Sequence, residues 1–200
     1  VVSTTLATVL GVAAALLLRG QARGRRWITF LFQLNIPIPH IVGAIGILLL
    51  VSQSGFLARL AWLGWLIDAP GQFPAIVFDR FALGVILEYV WKATCFIGII
   101  VLAALSSLGD EYEAAAATLG ANRRQRLRHI VLPLIAPSAF SAALLVFAFT
   151  FGAFEIPFLL GRPFPAALPV LAYRRYLNID LNARIEAMAR SFALSLESPR

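Results

Sequence analysis

An all-α, polytopic helical membrane fold is what the sequence predicts, on three observations. Of the 200 residues, 60% are hydrophobic and 14% charged, where a soluble domain carries about 25% charged residues. The apolar residues gather in long runs, and residues 1–18 hold no charge at all. Charge collects in the breaks between runs, the layout of helices that cross a bilayer and loops that do not. The expectation is about five transmembrane helices in a single domain over residues 1–200, truncated at both ends.

The first run, VVSTTLATVLGVAAALLL, covers about 27 Å at 1.5 Å per residue, close to the thickness of a bilayer core. Arg19, Arg23, Arg25 and Arg26 follow it, among Gly20 and Gly24, as a short loop. A second span is expected from Ile28 to Val51, bent or broken in its first half by Pro37 and Pro39. Residues 52–80 mix Trp62 and Trp65 with Pro70, Gly71 and Pro74, the composition of an interfacial loop with a short surface helix. A third span, Phe81 to Leu105, carries Glu88 and Lys92 four apart on one face, so a structural ion pair is expected, with the solute path as the sharper alternative. A fourth, Leu134 to Leu160, carries Glu155 near its far end, a further candidate for the solute path beside Glu88 and Lys92, and stops at Pro157, Gly161, Pro163 and Pro165. Residues 161–183 are expected to be loop, and the apolar stretch Ala187 to Leu196 is too short to cross, so it reads either as a truncated fifth helix or as an end outside the membrane.

Several function classes fall away. The net charge of +7 does not point to nucleic acid, because the arginines flank apolar runs and read as topology signals. Cys95 is the only cysteine, and His40 and His129 lie apart, so no metal or other cofactor is expected and each histidine reads as a local hydrogen-bonding residue. The only lysine, Lys92, follows Trp91, which rules out a Gly-x-x-x-x-Gly-Lys-Ser/Thr phosphate loop. The chain is therefore not expected to be an enzyme. It opens on Val1 with no charged stretch before the first apolar run, so no cleavable signal peptide is expected.

Residues 108–132 break the membrane pattern. Arg123, Arg124, Arg126 and Arg128 would cost on the order of 10 kcal/mol inside the bilayer, so the segment lies outside it. Asp110 is a good N-cap with Glu113 at the third helical position, Ala114 to Ala117 favour helix, and Gly120 can stop it in the left-handed conformation. Asn122 then caps a second short helix with Gln125 three residues on, and Pro133 opposes a smooth continuation. On these residues alone, a docking elbow and an amphipathic hairpin lying on anionic lipid are equally good readings.

The segment resembles the cytoplasmic signature loop of permeases from binding-protein-dependent ATP-binding-cassette importers. Ala115, Ala116, Gly120, Ile130, Leu132 and Pro133 stand at the spacings of that loop, while Ala114 replaces its glutamate and Glu113 stands beside it. The stretch FGAFEIPFLLGRPFPAALPVLAYRRY looks like the branch that moves polyamines, thiamine, ferric iron or related solutes. The resemblance implies a type I importer permease fold that forms the solute pathway. It also implies partners: a separate cytoplasmic ATPase, a second permease subunit, identical or different, and an extracytoplasmic solute-binding protein. Ala115, Ala116 and Gly120 would pack against the ATPase, with Arg123, Arg124 and Arg128 as polar contacts, and residues Tyr173 to Tyr176 would face the binding protein. The other readings are an ion-gradient-driven transporter or channel subunit, with Glu88, Lys92 and Glu155 as coupling groups, and a lipid-binding scaffold. Loops 19–26 and 108–132 share one side with eight arginines. Arg59, Arg80, Arg162, Arg174 and Arg175 make five on the other, so the first side is expected to be cytoplasmic, in a bacterial inner membrane.

Overall fold

Helices account for all regular structure among the described residues of the computed structural model, which are 1–19, 25–109, 111–177, 185 and 189. In chain order they are α1 (Val2–Arg19), α2 (Arg25–Asn35), α3 (His40–Val51), α4 (Phe56–Leu63), α5 (Leu83–Ser107), α6 (Glu111–Thr118), α7 (Arg123–Arg126), α8 (Leu132–Gly152), α9 (Glu155–Leu160) and α10 (Leu168–Tyr176). A single 3₁₀ turn, Pro70–Gln72, lies between α4 and α5, and a π turn, Leu127–Val131, joins α7 to α8.

Among the described residues, four segments are long and apolar enough to cross a membrane: Val2–Arg19, His40–Leu63, Leu83–Ser107 and Arg123–Gly152. The second differs from the expected Ile28–Val51. Pro37 and Pro39 lack an N–H, and their rings would meet the carbonyls four residues back, so α2 stops at Asn35 and α3 starts afresh at His40. The apolar length needed to cross is regained beyond Val51 in α4, a short helix where an interfacial loop with a short surface helix was expected, and it extends the crossing segment instead of lying apart from it. A fifth crossing near Ala187 to Leu196 falls outside the described residues, as do Asp110 and most of loop 19–26.

The fourth span differs at both ends. It starts earlier, because the π turn carries α7 into α8 without a break: Leu132 donates to the Leu127 carbonyl, five residues back. The wider turn shifts the carbonyls that the Pro133 ring would otherwise strike, so this proline is accommodated instead of ending the helix. It ends earlier too. Pro157 has no N–H for the Ala153 carbonyl, so α8 stops at Gly152 and α9 begins at Glu155. Residues expected as loop form α10, whose Pro169 sits in the first helical turn, where its missing N–H costs nothing.

The chain divides into two compact units. The first holds residues 1–37 and 90–147. Its core joins Ala7, Ala15 and Leu18 of α1 to Ile97, Val101 and Leu105 of α5 and to Ile135, Ala139, Ala142 and Val146 of α8. The buried residues of α1 are Thr4, Ala7, Gly11, Ala15 and Leu18, a mostly small-residue stripe, while Val9 and Leu17 are 62% and 73% exposed. Small residues inward and large apolar ones outward are what a helix in lipid needs, since bulk apolar surface gains nothing by leaving hydrocarbon and close backbone approach drives packing. A Cβ on Gly11 would come within 3.1 Å of the Gly98 nitrogen of α5. The second unit holds residues 38–89 and 148–200, and among its described residues Ala44, Ile47 and Val51 of α3 pack with Val77, Tyr89, Ile156 and Leu160. Asp79 starts α5 by accepting the Leu83 N–H at 2.7 Å and the Phe81 N–H at 2.8 Å.

Candidate functional site: the polar elbow and the intramembrane charges

The elbow between α5 and α8 is built from two local motifs with Ala121 alone between them. Helix α6 ends in a Schellman motif: the Gly120 N–H donates to the Ala117 carbonyl and the Ala121 N–H to the Ala116 carbonyl, both at 3.0 Å. This closure needs a left-handed residue, and Gly120 has φ +83°. Helix α7 opens with a full capping box. The Gln125 N–H donates to Asn122 Oδ1 at 2.9 Å and the Asn122 N–H to Gln125 Oε1 at 2.8 Å. Both helix ends at the bend thus meet orphan backbone groups with partners a few residues away, which holds the bend in one shape.

The face this elbow presents is small and apolar. Ala114, Ala115, Ala117 and Gly120 are exposed and Ala116 is half-buried. Tyr112 is 58% and Leu119 89% exposed, large apolar groups on a segment too polar for lipid. Of the arginines expected here, Arg123, Arg124 and Arg128 are all exposed. Ile130 is half-buried, while Leu132 and Pro133 are exposed where α8 begins. Glu113 faces the other way: its carboxylate pairs with Arg19 at the end of α1. Beside this pair, Leu16, Leu17, Leu127 and Val131 wall a cleft of about 820 Å³, with Arg123 and Arg124 at its margin.

The intramembrane charges have partners on other helices. Glu88 of α5 is fully buried, and its Oε1 lies 3.2 Å from Nδ1 of His40, the first residue of α3. The imidazole stacks on Phe149 at 4.9 Å between ring centres. Glu88 Oε2 and the Tyr89 hydroxyl are buried with no hydrogen-bond partner among the described residues. Lys92, one turn on, donates from Nζ to the Asn35 carbonyl at 2.9 Å, capping the C-terminal end of α2 where the prolines interrupt it. The Asn35 amide donates in turn to the Trp91 carbonyl at 3.4 Å. Glu155 is exposed in the first turn of α9, and no hydrogen bond or ion pair joins it to Glu88. The segment expected to face a binding protein is the end of α10, where the Tyr173 ring packs, tilted by 44°, against Phe154 at 4.4 Å between centres and Arg174 donates to the Pro163 carbonyl at 3.0 Å.

A family model described as binding-protein-dependent transport system inner membrane component matches residues 7–195. The chain belongs to this family. As a family member it is similar to the probable molybdenum ABC transporter permease protein of Haloferax volcanii, 30% identical over 188 residues, covering 92% of this chain and 64% of that protein. The molybdenum transport system permease protein ModB of Mycobacterium tuberculosis is 33% identical over 154 residues, covering 76% of this chain and 54% of that protein. This chain thus spans less than two thirds of either relative's length. The fold matches a bacterial alginate ABC transporter solved with an alginate pentasaccharide-bound periplasmic protein, at a TM-score of 0.76 and 22% identity, covering 99% of this chain and 73% of that one. The protein is a multi-pass membrane protein with the helical fold of importer permeases.

Sequence reasoning missed three side chains of this family member. His40 was placed as a local hydrogen-bonding residue, and its partner lies 48 residues away. Asn35 carried no signal beyond its place before a proline pair. Arg19 read only as a topology charge, although a cation ending an apolar span can reach a carboxylate on a neighbouring loop.

Proposed function

We propose that this chain is a permease subunit of an ATP-driven importer, lining the solute path and moved by a separate cytoplasmic ATPase that grips the α6–Gly120–α7 elbow. The observation that carries this reading is the elbow itself: a doubly capped, rigid bend that exposes alanines, Tyr112 and Leu119 outside the membrane and runs through the π turn into span α8. A rigid lever joined to a membrane helix is what transmits displacement from a motor to a channel. Ala115, Ala116 and Gly120 give the motor a surface without side-chain obstruction, and Arg128, which lies outside the cleft, supplies a polar contact beside it. Glu113, tied to Arg19, braces the elbow against α1, so its neighbour Ala114 leaves the contact face free of charge.

The other partners in this reading are a second permease subunit and an extracytoplasmic solute-binding protein, in a bacterial inner membrane with loops 19–26 and 108–132 on the cytoplasmic side. The named relatives carry different cargoes, molybdenum in two cases and alginate in the third, so similarity does not select polyamines, thiamine or ferric iron as the solute.

The test is Gly120→Trp. Apart from its chain neighbours, a Cβ at Gly120 meets no atom of the described residues within 4 Å, so the space it fills faces away from them. The variant is expected to insert normally but to lose co-purification with the ATPase and ATP-driven uptake by at least roughly tenfold, a loss of about 1.4 kcal/mol or more. Gly120→Asn, which tolerates the left-handed conformation, is expected to keep both. Normal ATPase retention by Gly120→Trp, or uptake that follows an ion gradient and ignores ATP, overturns the proposal.

A further inference from the structure

We propose that the cleft between α1, α6 and α7 binds one anionic phospholipid, a role distinct from motor docking. Its walls are apolar: Leu16 and Leu17 from α1, Leu127 and Val131 from the π turn. Its margin is cationic. The carboxylate of Glu113 is already neutralised by Arg19, which leaves the exposed guanidiniums of Arg123 and Arg124, and neither meets a carboxylate among the described residues.

Depth selects the ligand. Arg19 closes one apolar span and Arg123 opens another, so the cationic margin sits at the boundary between hydrocarbon and water, where lipid phosphates lie. A track of exposed apolar residues leads from the cleft into the membrane along one face of α1: Leu17, Ala13, Leu10 and Leu6, at helical spacing of three and four. It is about 16 Å long, long enough for much of an acyl chain. A free phosphate would satisfy the arginines and leave the leucine walls wet. A lipid satisfies both, with its phosphate on Arg123 and Arg124 and its chain on Leu17 and Leu10.

The experiment is native mass spectrometry of the permease with its ATPase, released from nanodiscs of equal phosphatidylglycerol and phosphatidylcholine. Wild type is expected to retain one phosphatidylglycerol in preference to phosphatidylcholine. Arg123→Gln with Arg124→Gln is expected to lower that retention roughly 30-fold, about fivefold for each guanidinium lost, and the double Arg→Lys variant to restore most of it. Ala13→Phe narrows the cleft without touching its charge and is expected to lower retention as well, which carries the test if the double Gln variant fails to assemble. Equal retention of the two lipids by wild type overturns the proposal. So does displacement by millimolar inorganic phosphate, which would mark a soluble-anion site. Loss of the ATPase from the double Gln variant with phosphatidylglycerol still bound also overturns it, because the arginines would then serve the protein partner.

Discussion

Glu88 shows how a single side chain constrains this membrane interior. A fully buried carboxylate is tolerated only with a partner, and His40 supplies one, with Phe149 stacked on the imidazole. His40→Phe keeps the ring and removes the nitrogen, so it is expected to destabilise the detergent-solubilised protein by about 3 kcal/mol. Adding Glu88→Leu removes the stranded carboxylate and is expected to return most of that loss. A double-mutant cycle on thermal unfolding checks this, and additive losses would show that the two residues do not act as a pair. Lys92 has a comparable duty at the end of α2. Lys92→Met leaves the Asn35 carbonyl without this donor, at a cost of about 1–3 kcal/mol. Faster amide exchange in the last turn of α2 is the expected sign.

At the scale of elements, the elbow and the crossing of α1 with α5 are held by different physics and should fail differently. The elbow rests on local hydrogen bonds. Asn122→Ala removes the acceptor for the Gln125 N–H and is expected to cost about 1 kcal/mol, seen as faster exchange at Arg124 to Arg126 with no loss of membrane insertion. The crossing rests on the absence of side chains. Gly11→Val is expected to push α1 from α5, because its Cβ would lie 3.1 Å from both the Gly98 nitrogen and the Ile97 Cβ. A cost of about 1–3 kcal/mol follows from such overpacking, measurable as a lower unfolding midpoint. Gly11→Ala should show a smaller loss in the same direction.

For the whole molecule, the decisive quantity is which side of the membrane the elbow occupies. The arginine bias favours the side shared by loops 19–26 and 108–132 as cytoplasmic. Leu119 offers a direct test, since it is 89% exposed and Cys95, the only native thiol, is buried and can be replaced. Leu119→Cys in a Cys95→Ala background is expected to react with a membrane-impermeant maleimide in inside-out vesicles and not in intact cells. Labelling from outside would put the elbow beyond the reach of any cytoplasmic motor.

The bend of the elbow was legible from sequence because the hydrogen bonds that shape it span three to five residues, whereas its brace from Glu113 to Arg19 was not. Asn122 and Gln125, Gly120 and its alanines, carry their meaning in their spacing. The membrane class and the presence of four long apolar segments among the described residues followed equally from composition, since apolar run length is itself the physical requirement. What the tertiary structure decided was partnership and where helices stop. His40 meets Glu88 across 48 residues and Lys92 meets Asn35 across 57, separations at which no local spacing rule applies. Pro37 and Pro39 ended a helix, while Pro133 was absorbed by a π turn. A proline removes the same hydrogen bond everywhere, and whether the chain breaks or rewinds depends on the packing around the freed carbonyls.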